Sequence, residues 1–361
     1  MQTTFFRDLK VVELASVLAG PAVGQFFAEL GARVVKIEHP GTGGDMTRHW
    51  KLPSEPEEQA WSAYYCSVNW GKEVRFIDLS TPDGHAEVME LIRDADIVIS
   101  NFRPEAAQRL KLDARSVRAQ FPGLIFAELS AFGDGDPRPG FDVVLQAEAG
   151  FLFMSGEPGG PPVKMPVALI DLMAAHQLKE GILLALLHRE RSGEGALVKT
   201  SLFDAAIASL ANQAGNWLME GHIPQPMGTQ HPNIAPYGDV FTTRDGKLIV
   251  LAVGTDRQFA QLATLLGQDE WITDPALATN AARVRNRALL RDLLQRPISG
   301  WGSEILLGSL IDMQIPAARI RNMKEVFELP QAEAMILEEA LPDGRRSRTV
   351  KTVAFRVESS L

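Results

Sequence analysis

The chain has 361 residues, 45% hydrophobic and 22% charged, which is typical of a globular protein with more than one domain. Its net charge of −9 argues against nucleic-acid binding, and the single cysteine, Cys66, excludes an internal disulfide and favours a reducing compartment. Since no apolar run is long enough to span a bilayer, residues 1–8 lack a signal-peptide pattern and no Cys/His cluster has metal spacing, we expect a cytoplasmic protein without membrane partners or metal.

The N-terminal part of the chain alternates strand patterns with helix patterns. Predicted strands cover residues 9–14, 33–38, 74–79, 96–100 and 124–129. Predicted helices cover residues 22–30, 82–93 and 106–110. This alternation predicts an α/β fold with a Rossmann-like, mostly parallel sheet, in which ligands bind beyond the carboxyl ends of the strands.

The rest of the chain predicts a second unit. Residues 133–166 read as loops around one helix at 145–153, and long helices are predicted over 172–191 and 201–220. Strands at 239–243 and 247–252 form a hairpin, followed by helices to residue 313, a helix near 323–327 and a strand near 349–357. We therefore expect a large domain (1–220), a linker (221–236), a smaller α+β domain (237–314) and a segment (315–361) that returns to the large domain.

Asp171 is the carboxylate that the pattern singles out. It follows the apolar run 167–170 and precedes the long predicted helix, so it is placed at a strand-to-helix junction. The partial positive charge of a helix N-terminus would keep it ionised, and an ordered carboxylate can attack a carbonyl group. The alternative is an aspartate that simply caps the helix.

Several common catalytic motifs are absent. The turn after the first strand lacks G-x-G-x-x-G, which disfavours a nicotinamide dehydrogenase, and the chain contains no P-loop and no G-x-S-x-G elbow. The seven histidines lack diagnostic spacing and are read as structural or exposed. Lys72, Arg75, Arg103 and Arg109 are candidates for binding phosphates, although any one of them could equally be a solvated surface residue.

A set of short motifs, in order along the chain, resembles the family III CoA-transferases (the CaiB/BaiF family, with formyl-CoA transferase and alpha-methylacyl-CoA racemase). They are Ala19-Gly20-Pro21, residues 31–38, residues 44–48, Asn69-Trp70-Gly71-Lys72, Asn101-Phe102-Arg103-Pro104, Pro139-Gly140-Phe141-Asp142, Asp171, residues 191–195 and residues 234–237. The resemblance runs from about Leu9 to Val357. It implies an interlocked ring homodimer that uses acyl-CoA as a substrate, with no permanently bound cofactor.

The resemblance also implies roles for particular residues. Asp171 would be the nucleophile that moves CoA between carboxylic acids through an aspartyl anhydride and an aspartyl-CoA thioester. The implied CoA and substrate contacts are Val17, Leu18, Ala19, His39, Ile77, Asn101, Phe102 and Arg109, with Arg103 as a nearby candidate and Phe141 and Asp142 beside the nucleophile. Racemases of the family carry histidine where this chain has Phe141, so transfer is the expected reaction.

The chain departs from the family pattern at four places. Glu105 stands where glycine is usual, His39 replaces an arginine found in some members, residues 228–233 do not match the glycine loop of formyl-CoA transferase, and the chain stops at Leu361, before a segment that many members have. We therefore expect a different acyl substrate. An acyl-CoA racemase or epimerase of the same fold, and a CoA-ester-binding protein without catalysis, remain the alternatives.

Overall fold

The computed structural model describes residues 5–358, which form two compact units. The first unit contains the described residues up to Phe151, then Lys164–Ile223 and the described residues from Gln331 onward. The second contains Leu152–Val163 and Pro224–Pro330. The second unit therefore begins inside the predicted linker and extends beyond the predicted boundary at residue 314. It also includes a short stretch before Lys164 that the sequence pattern did not assign to it.

The described residues contain eleven strands. In chain order they are β1 (Lys10–Leu14), β2 (Arg33–Glu38), β3 (Glu73–Phe76), β4 (Ile97–Ser100), β5 (Ile125–Ser130), β6 (Leu197–Ser201), β7 (Tyr237–Thr242), β8 (Leu248–Ala252), β9 (Ala317–Arg319), β10 (Ile336–Ala340) and β11 (Arg346–Val350). The five strands predicted in the N-terminal part and the predicted hairpin of β7 and β8 are confirmed, with shifts of up to three residues at their ends.

The helices connect and cover these strands. They are α1 (Ala19–Glu29), α2 (Ala63–Cys66), α3 (Pro82–Arg93), α4 (Pro104–Arg109), α5 (Ala114–Arg118), α6 (Asp142–Glu148), α7 (Phe151–Met154), α8 (Leu169–Ser192), α9 (Leu202–Ala208), α10 (Ala211–Glu220), α11 (Asp256–Leu265), α12 (Asn280–Arg285), α13 (Arg287–Ile298), α14 (Ser303–Asp312), α15 (Met323–Phe327) and α16 (Pro330–Glu333). Short 3-10 turns cover Pro40–Thr42, Met46–His49 and Asp269–Ile272. Within residues 5–358, no helix combines the length and apolarity required to cross a membrane.

The first unit is built on a six-stranded sheet in the order β3-β2-β1-β4-β5-β6, and every neighbouring pair is parallel. Helices α1 and α8 pack on one face of this sheet, and α3 and α5 cover the other. The strand order reverses beside β1, which leaves a crevice at the carboxyl ends of β1 and β4. This is the edge of the sheet at which a ligand is expected.

The remaining strands form two small antiparallel sheets. In the second unit, β7, β8 and β9 form a three-stranded sheet over a separate hydrophobic core. In the first unit, β10 and β11 form a hairpin, and Trp70 Nε1 donates to the Glu338 carbonyl at 3.2 Å. The predicted C-terminal strand is therefore placed earlier, at Arg346–Val350, and residues 351–358 are not in a strand.

Other predictions of secondary structure were also wrong. Residues 167–170 do not form a strand, because Leu169 and Ile170 already belong to α8. The helix predicted at 145–153 is two short helices separated at Gly150, and the helix predicted at 201–220 is interrupted before Ala211, whose φ is 46°. Strand β6 was missed. It alternates exposed and half-buried residues at the sheet edge, so its apolar pattern is weak.

Candidate active site

A cavity of about 360 Å³ opens at the carboxyl ends of β1, β4 and β5 in the first unit. Its walls include residues 16–19 after β1, residues 101–105 after β4 and residues 138–141 before α6, and Asp171 of α8 lines it as well. The cavity therefore brings together eight of the residues singled out from the sequence: Val17, Leu18, Ala19, Asn101, Phe102, Arg103, Phe141 and Asp171.

The other predicted residues lie elsewhere. Asp142 is buried directly behind the cavity wall, next to Phe141. His39, Ile77 and Arg109 are outside the cavity lining. Ile77 is only 4% exposed and belongs to the hydrophobic core on the opposite face of the sheet. His39 is exposed, with Nε2 3.4 Å from the Asp78 carboxylate. The structure thus groups the residues nearest Asp171 and leaves these three apart from them.

Asp171 is the third residue of α8 and is 8% exposed. Among residues 5–358 its carboxylate forms no ion pair. Burial raises the pKa of Asp171 to about 7 from an ordinary value of 3.8, and the nearby Asp142 carboxylate adds to the shift. Burial therefore outweighs the helix N-terminus, which was expected to keep this carboxylate ionised, and Asp171 is a carboxylate that ionises near neutral pH and is then unusually basic.

The carboxylate that caps α8 is Asp142 rather than Asp171. Helix α8 begins after Ala168, and Asp142 Oδ1 accepts a hydrogen bond from the Ile170 backbone N–H at 2.7 Å. The Gln146 side-chain amide donates to the other Asp142 oxygen, while its Oε1 accepts from the Met165 N–H at 2.9 Å. The alternative role of Asp171 as a simple cap is therefore wrong, and its carboxylate is left available to the cavity.

An aromatic group, which the sequence did not reveal, lies close to the two carboxylates. Trp50 contacts the ring of Tyr64 edge-on, with centroids 5.0 Å apart, and the ring of Phe141 at 6.3 Å. Burial raises the pKa of Tyr64 to about 12, and the charges of Asp171 and Asp142 add to the shift, so its hydroxyl stays protonated. Phe141, Trp50 and Tyr64 are far apart in sequence, and no local pattern joins them.

A network of ion pairs is buried beneath residues 15–18. Lys36 Nζ lies 2.9 Å from Glu13 and 3.0 Å from Asp45, and Lys72 Nζ lies 2.8 Å from the second oxygen of Glu13. All four side chains are at most 1% exposed. Gly24 packs against Glu13 so closely that a Cβ atom would collide with its carboxylate. Lys72, a candidate for binding phosphate, is therefore committed to this network, and the other candidate Arg75 pairs with Glu73 at 2.8 Å.

Two arginines line the cavity, and they differ in their partners. Arg138 lies 2.9 Å from Asp136 and 3.3 Å from Glu148, and its guanidinium stacks on Phe132 at 3.9 Å. Arg103 precedes α4 and is exposed, and within residues 5–358 it forms no ion pair. Arg103 is therefore the more available of the two for an anionic ligand.

The sequence profile of CoA-transferase family III matches residues 6–361. The chain belongs to CoA-transferase family III. This family III chain is 40% identical over 332 residues to the succinate–glutarate CoA-transferase of Agrobacterium fabrum, covering 90% of this chain and 82% of the relative. It is 33% identical to the succinyl-CoA–D-citramalate CoA-transferase of Chloroflexus aurantiacus, covering 90% and 80% of the two chains.

Solved structures agree with this assignment. A crystal structure of a CaiB/BaiF family protein from Brucella suis is 38% identical, with a TM-score of 0.86 over all of this chain and 94% of that one. A Mycobacterium tuberculosis protein is 28% identical, with a TM-score of 0.84 over 99% and 94% of the two chains. The resemblance read from the motifs is confirmed, and the chain is an enzyme of the CoA-transferase class.

Proposed function

We propose that this enzyme moves CoA between two carboxylic acids and that Asp171 is its nucleophile. The observation that carries the proposal is a buried carboxylate without an ion pair among residues 5–358, at the start of α8, lining the same cavity as residues 16–19 and 101–105. A raised pKa makes the ionised form a stronger nucleophile than an ordinary aspartate. The family to which the chain belongs uses CoA thioesters as substrates.

The proposed reaction begins when an Asp171 oxygen attacks the thioester carbonyl carbon of the donor. The C–S bond breaks, CoA leaves as the thiolate, and an acyl–aspartyl anhydride remains. The thiolate then attacks the Asp171 carbonyl carbon and displaces the donor acid, giving an aspartyl-CoA thioester. The acceptor carboxylate displaces CoA from Asp171, and the thiolate attacks the new acyl group to release product and the free aspartate. No net proton is transferred.

The surroundings of Asp171 suit these intermediates. The anhydride and the aspartyl thioester both hydrolyse if water reaches them, and the rings of Trp50, Tyr64 and Phe141 supply an apolar wall close to the carboxylate. The partial positive charge at the N-terminal end of α8 stabilises negative charge that develops on an attacked Asp171 carbonyl. Phe141 has no proton to exchange, which supports transfer rather than racemisation.

We propose that CoA lies along residues 16–19 and 101–105, with its thiol end towards Asp171. Arg103 then supplies positive charge for a phosphate of CoA, since it has no internal counter-ion among the described residues. His39 and Arg109 remain proposed contacts at the nucleotide end of CoA, beyond the cavity that holds the reacting groups, whereas Ile77, whose side chain is buried in the core, is proposed to contribute only its backbone.

The names of several relatives support dicarboxylic acids as the donor and acceptor. The similar proteins are named for exchange involving succinate, glutarate and citramalate, and another, from Haloarcula hispanica, for succinyl-CoA and mesaconate. Rates of exchange with C4–C6 dicarboxylic acids, compared with those for monocarboxylic acids of equal length, show which of these two classes of acid the enzyme accepts.

A homodimer is supported by apolar surface that the single chain leaves exposed. On α10, Trp217 is 53% exposed, Leu218 77% and Met219 79%, and Leu184 of α8 is 68% exposed. Three consecutive exposed apolar side chains, as on α10, are typical of protein interfaces. Analytical ultracentrifugation of the purified chain tests this proposal. We expect a dimer, and we expect Leu218→Glu to dissociate it. A stable monomer at micromolar concentration contradicts the proposal.

The proposed activity is tested by following acyl exchange from succinyl-CoA to the acid panel by chromatography. Asp171→Asn is compared with Asp134→Asn, because Asp134 is an exposed aspartate of the same unit whose partner is Lys199. We expect exchange in the unsubstituted enzyme and in Asp134→Asn, and none in Asp171→Asn. Exchange that survives in Asp171→Asn overturns the proposed nucleophile.

A further inference from the structure

The turn that follows β1 has an unusual backbone. Val17 has φ of 75°, in the left-handed region that disfavours a β-branched residue. The turn joins β1 to α1 at the crevice of the sheet and forms part of the cavity wall with Asp171. A conformation of this kind persists only where other groups hold it in place.

Side chains from three distant segments bind consecutive backbone groups of this turn. Lys36 Nζ donates to the Ala15 carbonyl at 2.7 Å. Asn101 accepts from the Ser16 N–H at 3.1 Å and donates to the Ser16 carbonyl at 2.9 Å. Asp45 accepts the Val17 N–H, at 3.1 Å to one carboxylate oxygen. The last contact is made directly to the left-handed residue.

The Asp45 carboxylate is itself fixed in position by its neighbours. Lys36 Nζ lies 3.0 Å from Oδ2, and the Thr47 backbone N–H and hydroxyl donate to Oδ1 at 3.0 and 2.8 Å. The Asp45 backbone N–H donates to Glu38 at 3.0 Å. Although burial opposes ionisation, Lys36 and Thr47 hold the pKa of Asp45 below its ordinary value. Asp45 is thus an ionised acceptor at neutral pH.

The path of the chain towards Asp45 is equally constrained. Gly44 has φ of 97°, and a Cβ atom there would collide with the Glu38 carboxylate. Glu38 is bound by Arg48 at 2.6 Å and by the Tyr65 hydroxyl at 2.7 Å. Lys36 and Glu38 are two residues apart on β2, so their side chains project on the same face of the strand and both reach Asp45.

We propose that Asp45 is a positioning residue for the acyl-CoA site, which holds the Val17 peptide in its left-handed conformation and so sets the shape of residues 15–18 at the cavity wall. Asp45 acts through Val17 and is not assigned a contact with the reacting atoms. The inference rests on the proposed function, because the cavity is assigned to acyl-CoA there.

The dependence of Asp45 on Val17 supplies a specific test. Glycine adopts positive φ without the steric cost that every L-residue with a Cβ atom meets. If Asp45 acts by holding that conformation, its carboxylate matters less once residue 17 is glycine. Alanine at the same position removes most of the valine side chain but retains the Cβ atom, so Val17→Ala is the matched control for lost side-chain contacts.

The experiment measures the dissociation constant of CoA by calorimetry, which does not depend on turnover. Asp45→Ala, which removes the acceptor for the Val17 N–H, is made in the unsubstituted protein and in the Val17→Ala and Val17→Gly backgrounds. We expect Asp45→Ala to weaken CoA binding about tenfold in the first two backgrounds and less than about threefold with Val17→Gly. If the unsubstituted enzyme shows no acyl exchange, the proposed function is contradicted, but the comparison of CoA affinities in the three backgrounds still tests the role of Asp45.

Two outcomes overturn the inference. One is an equal loss of CoA affinity in all three backgrounds, which shows that Asp45 does not act through Val17. The other is unchanged affinity with a lowered Tm, which assigns Asp45 a role in stability alone. If Asp45→Ala does not fold, the pair Lys36→Met/Asp45→Ala replaces it in the same backgrounds, because it removes one positive and one negative buried charge together.

Discussion

The two sides of the cavity balance their charges in opposite ways. Beneath residues 15–18, the carboxylates of Glu13 and Asp45 are each within 3.0 Å of a lysine ammonium group. At the start of α8, Asp171 faces another carboxylate, Asp142, and has no ion pair among the described residues. Paired charges hold backbone in position, whereas a carboxylate without a counter-ion keeps its basicity for chemistry. The comparison separates the residues that shape the site from the one proposed to react.

The largest expected effect is that of Asp171→Asn, which removes the carboxylate proposed to react. We expect kcat to fall by a factor of about 10³ or more, because the covalent route is lost. We also expect a higher Tm at about pH 8, since the raised pKa of Asp171 means that stability falls as pH rises through about 4 to 7 and the amide escapes this loss. Parallel kinetics and thermal unfolding check both. If Asp171→Asn lost activity and also had a lowered Tm at this pH, Asp171 would stabilise the fold, which contradicts the distinction drawn between it and the paired carboxylates.

Breaking a paired charge should have the opposite result. In Lys36→Met, Asp45 loses its ammonium partner and Glu13 keeps only Lys72, so we expect a cost of about 3–5 kcal/mol in the free energy of unfolding. Arg33→Met is the matched control on the same strand, because its pair with Glu73 is exposed and should cost about 1 kcal/mol or less. Urea unfolding measures both. Equal costs would show that the buried network does not hold this side together.

The two cavity arginines, Arg103 and Arg138, extend the comparison of unpaired and paired charges to side chains that could bind a phosphate of CoA. Arg138 is neutralised by Asp136 and Glu148, whereas Arg103 forms no ion pair within residues 5–358. We expect Arg103→Gln to raise KM for acyl-CoA about tenfold and Arg138→Gln to change it less than about twofold. Steady-state kinetics with varied acyl-CoA decide this. The reverse order would mean that the paired arginine is the one that binds the ligand.

The smallest expected effect concerns the like charge beside Asp171. Asn at position 142 keeps an acceptor for the Ile170 N–H but removes the negative charge, so the pKa of Asp171 falls towards its ordinary value. Activity of the unsubstituted enzyme should decline as pH falls through about 7, and in Asp142→Asn this decline should move to lower pH. The pH profile of kcat/KM measures the shift. An unchanged pH profile would mean that burial alone raises the pKa of Asp171.

Five strands of the parallel sheet could be predicted from apolar runs with turn residues between them, whereas the half-exposed edge strand β6 could not. The position of Asp171 beside residues 16–19 followed from the family resemblance. The cap of α8 could not be predicted, because Asp142 reaches Ile170 from a different helix. Nor could the role of Asp45, since its hydrogen bond to Val17 joins two loops that meet only when β1 and β2 pair.

The aromatic group of Trp50, Tyr64 and Phe141 could not be predicted for a similar reason. Trp50 and Tyr64 lie in residues 46–73, to which no element was assigned from the sequence, and the contact of Trp50 with Phe141 joins segments that are about 90 residues apart. Periodicity detects which face of an element is buried, but it does not detect which side chains from separate segments meet around a cavity.

The central claim is that Asp171 becomes acylated, and hydroxylamine trapping tests it most directly. Trypsin releases residues 165–179, in which Asp171 is the only acidic residue, so a hydroxamate there has one possible site. After incubation with succinyl-CoA and hydroxylamine, mass spectrometry should find this peptide converted to the hydroxamate, with the preceding peptide that contains Asp142 unchanged. An unmodified 165–179 peptide in enzyme that is turning over succinyl-CoA would contradict the account.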